Sequence, residues 1–119
     1  MNGKRPVRVA VLGAGGTIAP AIVRDLASSD EVAGLLLLDL DQARAEHVAS
    51  LHGGPRARAA FADARASADD PGSLARALEG CDVLVNSASY RVNLDAMAAC
   101  LDAGCDYLCL LYTSPSPRD

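Results

Sequence analysis

A strand, a glycine turn and a helix follow one another without interruption at the start of this chain. That order restricts its fold more than any other feature. "VRVAVLGAGG" (Val7 to Gly16) is a short β-branched, apolar run ending in clustered glycines. "TIAPAIVRDLASS" then places Ile18, Ile22, Val23 and Leu26 at the three-to-four spacing of an amphipathic helix. Pro20 is compatible with that helix, because in a first turn its missing N–H has no helical acceptor to lose. The alternation continues along the chain. "VAGLLLLDL" reads as a second strand, and its unbroken apolar run suits burial between helices on both faces. "DQARAEHVASLHGG" predicts a helix N-capped by Asp41 and stopped at Gly53-Gly54. "RARAAFADA" is a weaker third strand, since its alanines give little β preference, and "DDPGSLARALEG" a third helix capped at Ser73. "CDVLVNSAS" gives a fourth strand, "VNLDAMAACLDAG" a fourth helix, and "CDYL" opens a fifth strand.

Strict alternation of this kind predicts an α/β fold with a parallel sheet and right-handed crossovers. We expect a Rossmann-like doubly wound sheet in the order 3-2-1-4-5, broken off within the fifth strand. A length of 119 residues allows one domain. The net charge of -4, with no basic cluster, argues against a general nucleic-acid binder. Apolar runs such as "GLLLL" are too short to span a bilayer, and the N-terminus lacks a signal-peptide pattern. Cys81, Cys100, Cys105 and Cys109 form no C-x-x-C pair and have no clustered histidines, so we expect buried thiols, no metal site and a cytoplasmic location.

The glycine turn is where chemistry first enters. Gly13-Ala14-Gly15-Gly16-Thr17-Ile18 stands at the handover from strand to helix. A dinucleotide's pyrophosphate needs backbone N–H donors with no side chain in the way, and a helix N-terminus behind glycines supplies them. The flanking strand and helix are the context that this motif requires. Ile18 departs from G-x-G-x-x-G, whose third glycine allows close helix–strand packing, so the helix is expected either to sit slightly farther out or to lean on Ala19 and Ala21. The looser spacing Gly13-x-x-Gly16-x-x-Ala19 also fits, and a merely sharp turn is the plain alternative.

Asp39 closes the second strand, near the spacing of about 20 residues at which an acid accepts bonds from the adenosine ribose. Its charge would repel a 2′-phosphate, whereas Arg44, one turn into the next helix, could face one. Between NAD and NADP the sequence leans to NAD, on the ground that Asp41 takes the capping role and leaves Asp39 free. Asp63 follows the third strand, either near an adenine edge or as a solvated loop acid. "NSASY" follows the fourth strand beside the switch point between strands 1 and 4. Ser87, Ala88 and Tyr90 in it are expected to let the chain pass close to the cofactor. Tyr90 is not the catalytic tyrosine of a short-chain dehydrogenase, because the lysine required four residues on is Leu94. His47 and His52 lie in a helix without a nucleophile or acid partner, and no catalytic residue is assigned.

"VLGAGGTIAPAIVRDL", "LLLLDLDQARA" and above all "NSASYRVNLDAMAACLDAGCDYL" resemble the NAD(P)-binding region of saccharopine dehydrogenase and lysine dehydrogenase-like proteins. The resemblance runs from Val7 to Leu108. It implies hydride transfer at a carbon–nitrogen bond of an amino-acid-derived substrate, with catalytic groups in a further domain and a homodimeric parent. Homospermidine synthase-like or enoyl reductase-like enzymes are alternatives within the same broad group. A regulator that binds NAD(P) without turnover is one from a different class. Past Leu108 the family's usual "DLGG" is replaced by "CLLYTSPSPRD", which resembles a translated sequencing-library adapter. We therefore expect residues 1–108 to be a partial enzyme domain and 109–119 a foreign tail.

Overall fold

The computed structural model describes residues 6–63, 72–88 and 92–109. Its elements run β1 (Val7–Leu12), α1 (Ala19–Ala27), β2 (Val32–Asp39), α2 (Gln42–Val48), β3 (Ala57–Phe61), α3 (Ser73–Ala77), β4 (Val83–Asn86), α4 (Asn93–Ala103) and β5 (Asp106–Cys109). The five strands form one parallel sheet in the order β3-β2-β1-β4-β5, as the alternation predicted.

The period-two geometry of strands explains why the strand sequences look uniformly apolar. In β1, Val9 and Val11 face one side and Ala10 and Leu12 the other, and all four are buried. Leu35 and Leu37 of β2 join Val9, Val11, Val23, Ala45 and Val48 in a core beneath α1 and α2. Leu36 and Leu38 join Leu12, Leu74, Leu78, Leu84, Ala96 and Cys100 in a second core beneath α3 and α4. Each fully buried leucine contributes about 1.5–3 kcal/mol by leaving water, and both faces of the sheet need such residues.

Helix boundaries differ from expectation in three places. α1 starts at Ala19 rather than Thr17; Pro20 lies within the first two helical positions, and Ile18 is the N-cap without a side-chain cap. Ala19 is buried while Ala21 is exposed, so Ala19 occupies the close-packed place that a third glycine would take. Ser73 does not cap α3. Gly72 is the N-cap, Ser73 is already helical, and its buried Oγ has no partner among the described residues. The second helix keeps its predicted cap, with Asp41 Oδ1 accepting the Arg44 N–H at 3.2 Å. It leaves the α pattern after Val48 and finishes as a π turn over Ala49–Gly53. That wider turn seats Gly53, buried, where a Cβ would collide with the Ala57 side chain at the start of β3.

α4 ends in a Schellman motif: Gly104 is left-handed at φ 71°, and the Cys105 N–H reaches back to Cys100 O at 2.9 Å. The two buried thiols are the apolar contact that accompanies this cap. None of the four cysteines forms a disulfide among the described residues, and burial pushes the Cys105 thiol up to about 12. Among the described residues no helix is long and apolar enough to cross a membrane.

Candidate functional site

β1 lies between β2 and β4, and the chain leaves β1 and β4 in opposite directions, which opens a crevice at their C-terminal ends. The glycine turn lies in that crevice and is tied down by β2. The N–H groups of Gly13 and Ala14 both donate to Leu38 O, at 2.8 and 3.0 Å, and the Gly16 N–H donates to Gly13 O at 2.9 Å. Gly13 has φ 81°, and a Cβ there would lie 2.8 Å from both Cα and N of Ala88. Only glycine lets the two loops of the crevice touch at this point. Gly15 is constrained differently, because a Cβ would come within 2.8 Å of Arg44 Cβ and 3.1 Å of the Asp39 carboxylate.

Asp39 is not free. Its Oδ2 accepts the Gly15 N–H and its Oδ1 the Asp41 N–H, each at 2.8 Å. The carboxylate therefore clamps the glycine turn to the β2–α2 corner. Each oxygen keeps a second lone pair, so the clamp does not prevent it from also accepting a hydroxyl. Asp63, eight per cent exposed, is buried rather than solvated. It lines a cleft of about 120 Å³ together with Leu12, Gly13, Asp39, Ala62 and Ala88. The structure thus brings Gly13, Asp39, Asp63 and Ala88 to one cavity.

Gly15, Gly16 and Thr17 line a second cleft of about 380 Å³, shared with Asp41, Arg44 and His47. His47 was not expected there, since its sequence position shows only a helix without a nucleophile or acid partner. Ile18 is 56% exposed and lines neither cleft. The uncapped start of α1 leaves its first-turn N–H groups without a side-chain acceptor, the arrangement that favours an anion. Ser87 is committed to the main chain: its Oγ and its N–H both donate to Leu12 O, at 2.8 and 2.9 Å. Tyr90 lies outside the described residues.

A third feature was not anticipated. Asn86, the last residue of β4, is completely buried, and a buried amide must be paired. Its Oδ1 accepts the Ala88 N–H at 2.9 Å, and its Nδ2 donates to the Tyr107 hydroxyl at 2.9 Å. That hydroxyl donates in turn to Asn93 Oδ1, at the start of α4. Burial pushes the Tyr107 phenol above its ordinary range, which keeps the proton that this bond needs.

A glycine turn seated on Ala88, a carboxylate at the end of β2 and an open helix start together fit a dinucleotide. Comparison with known proteins agrees. The family model described as the saccharopine dehydrogenase NADP binding domain matches residues 9–118. The chain belongs to this family. It is 32% identical over 101 residues to carboxyaminopropylagmatine dehydrogenase of Synechocystis sp., a match covering 85% of this chain and 25% of that protein. Its structure is similar to apo saccharopine dehydrogenase (L-Glu forming) from Saccharomyces cerevisiae, with a TM-score of 0.75 and 22% identity over 92% of this chain. It also resembles AtPrR2 solved with NADP+ and (+)-pinoresinol, with a TM-score of 0.68 and 20% identity over 87% of this chain. At these identities the two structures share its fold. The chain spans about a quarter of the length of the curated relative, and 22% of the yeast enzyme.

Proposed function

We propose that this chain is the dinucleotide-holding part of an oxidoreductase that acts on carbon–nitrogen bonds of amino-acid-derived substrates. The observation that carries the reading is the Gly13 seat, where a left-handed glycine and the β4 loop meet beside Asp39 and Asp63. A nicotinamide cofactor, when bound, accepts or gives up a hydride. The residues here bind and orient it. The first turn of α1 faces the pyrophosphate, Asp39 accepts from the adenosine ribose, and the cleft lined by Ala62 and Asp63 takes the adenine. Groups that hold the substrate and move its proton belong to the part of the relatives' length that this chain does not span.

Asp39 also bears on the choice of cofactor. Its two backbone donors hold the carboxylate at the end of β2, and an acid in the ribose position of this reading disfavours a 2′-phosphate, which supports NAD. Arg44 opposes it from the neighbouring cleft, and the family's description names NADP. Titrating the chain with NADH and NADPH, by the fluorescence of the reduced nicotinamide, tests both statements. NADH is expected to bind the tighter, Asp39→Asn to narrow the difference about tenfold, and Arg44→Ala to weaken NADPH alone. Failure of the folded chain to bind either cofactor would defeat the dinucleotide reading. Tighter NADPH binding that Asp39→Asn leaves unchanged would defeat the preference alone.

A further inference from the structure

The loop between β4 and α4 supplies one wall of the 120 Å³ cleft, through Ala88 and Val92. Asp39, Leu40, Ala62 and Asp63 form the opposite wall, built on β2 and β3. One residue of the loop wall is hydrogen-bonded to the asparagine–tyrosine network, and the other adjoins it in sequence. Ala88 gives its N–H to Asn86 Oδ1, and Val92 directly precedes Asn93, whose Oδ1 receives the Tyr107 hydroxyl. One phenol on β5 thus bridges the two ends of the loop, one through Asn86 at the end of β4 and the other at the first residue of α4. On the other side Ala88 lies against the turn at Gly13, where an added Cβ would come within 2.8 Å of its main chain.

We propose that Tyr107 is a positioning residue, which sets the separation of the two cleft walls by holding Asn86 and Asn93 at once. The proposal rests on the dinucleotide reading above and adds to it the part of the molecule that fixes the adenosine-binding width. Tyr107 does not touch the ligand. It acts through the amide of Asn86 on Ala88, and through Asn93 on Val92.

The direction of each bond makes the network specific. Asn86 Nδ2 can only donate, and Asn93 Oδ1 can only accept, so the bridge must do both, as a hydroxyl does. Phenylalanine at 107 fills the same space but leaves a buried N–H and a carbonyl oxygen unpaired, and the loop must shift to rehydrate them.

The test is calorimetric titration of the 119-residue chain with AMP and with NADH, at a temperature where circular dichroism shows each variant folded. Tyr107→Phe and Asn93→Ala are each expected to weaken both ligands about tenfold. The double variant should lose no more than either single one, because the two changes break one network. Asn93→Asp keeps an acceptor for the hydroxyl and should retain wild-type affinity. Cys105→Ala, in the residue before β5, is the control for mere destabilisation: its unfolding midpoint falls while its affinities stay. Unchanged affinity in Tyr107→Phe, or additive losses in the double variant, would overturn the proposal while leaving the dinucleotide reading intact. Absence of AMP and NADH binding in the wild-type chain would overturn both.

Discussion

Gly13→Ala tests the architecture of the crevice at a single atom. Two costs arise at this position and can be separated. The first is conformational: at φ 81° an L-residue sits in the left-handed region, at about 1–2 kcal/mol. The second is steric. The new methyl would lie 2.8 Å from Ala88 Cα and N and 2.9 Å from Ala88 Cβ. Two of these three atoms are main chain, and Asn86 and Leu12 hold that segment by hydrogen bonds, so it cannot yield freely. Overpacking of this kind adds about 1–3 kcal/mol, for roughly 2–5 kcal/mol in all. Gly104→Ala provides the reference. Gly104 is also left-handed, at φ 71° and ψ 34°, but a Cβ there meets nothing within 4 Å, so only the first cost applies. Urea unfolding followed by circular dichroism gives both values. Gly13→Ala should exceed Gly104→Ala by about 1–3 kcal/mol at an unchanged denaturant slope. Equal losses would show that the two loops do not meet as described, and the seat that carries the functional reading would go with them.

Two further outcomes follow from local chemistry. Asp41→Ala removes the side-chain acceptor for the Arg44 N–H and should cost about 1 kcal/mol of stability, read from the same urea curves; no change would mean that the cap is not formed in solution. The buried thiols predict a decline in stability with alkali. Burial, with Cys100 alongside, pushes Cys105 up to about 12 from 9.0, and burial raises Cys100 in the same direction. The folded chain therefore keeps protons that the unfolded chain releases, so this contribution is complete below about pH 9 and is lost as pH rises towards 12. Urea midpoints at about pH 8 and about pH 10.5 should show the fall, and Cys105→Ala should flatten it. A decline equally steep in that variant would assign it to other groups.

The sheet order was legible because each strand advertises itself. Runs such as Leu35 to Leu38 are apolar at every residue, which only a strand covered on both faces explains, and the helices between them force parallel pairing. The Asp41 cap was legible for a related reason, since its partner, the Arg44 N–H, is three residues away. Errors arose where packing on another element, or the backbone itself, overrides the local pattern. The π turn before Gly54 follows the packing of Gly53 on Ala57, and Ser73 lost the capping role to a backbone already helical one residue earlier than expected. Asp39 was picked out by its position at the strand end, but its engagement with Gly15 depends on how β1 and β2 abut.

The asparagine–tyrosine network marks the boundary between the two kinds of information. From the sequence, Asn86 is one small polar residue in a run of them, and nothing requires it to be buried. Once β1 flanks β4 on one side and β5 on the other, its amide is sealed from water and must find a partner. The register then decides which one. Tyr107 pairs with Leu84, two residues before Asn86 and on the same face, so a long side chain at 107 reaches the amide. A shift of one residue would turn Tyr107 to the opposite face and leave Asn86 unpaired. The polar pair therefore favours the register that also places Ala88 against Gly13. In this chain the placement of Ala88 against Gly13 and the alignment of the last two strands draw on the same pair, Asn86 and Tyr107.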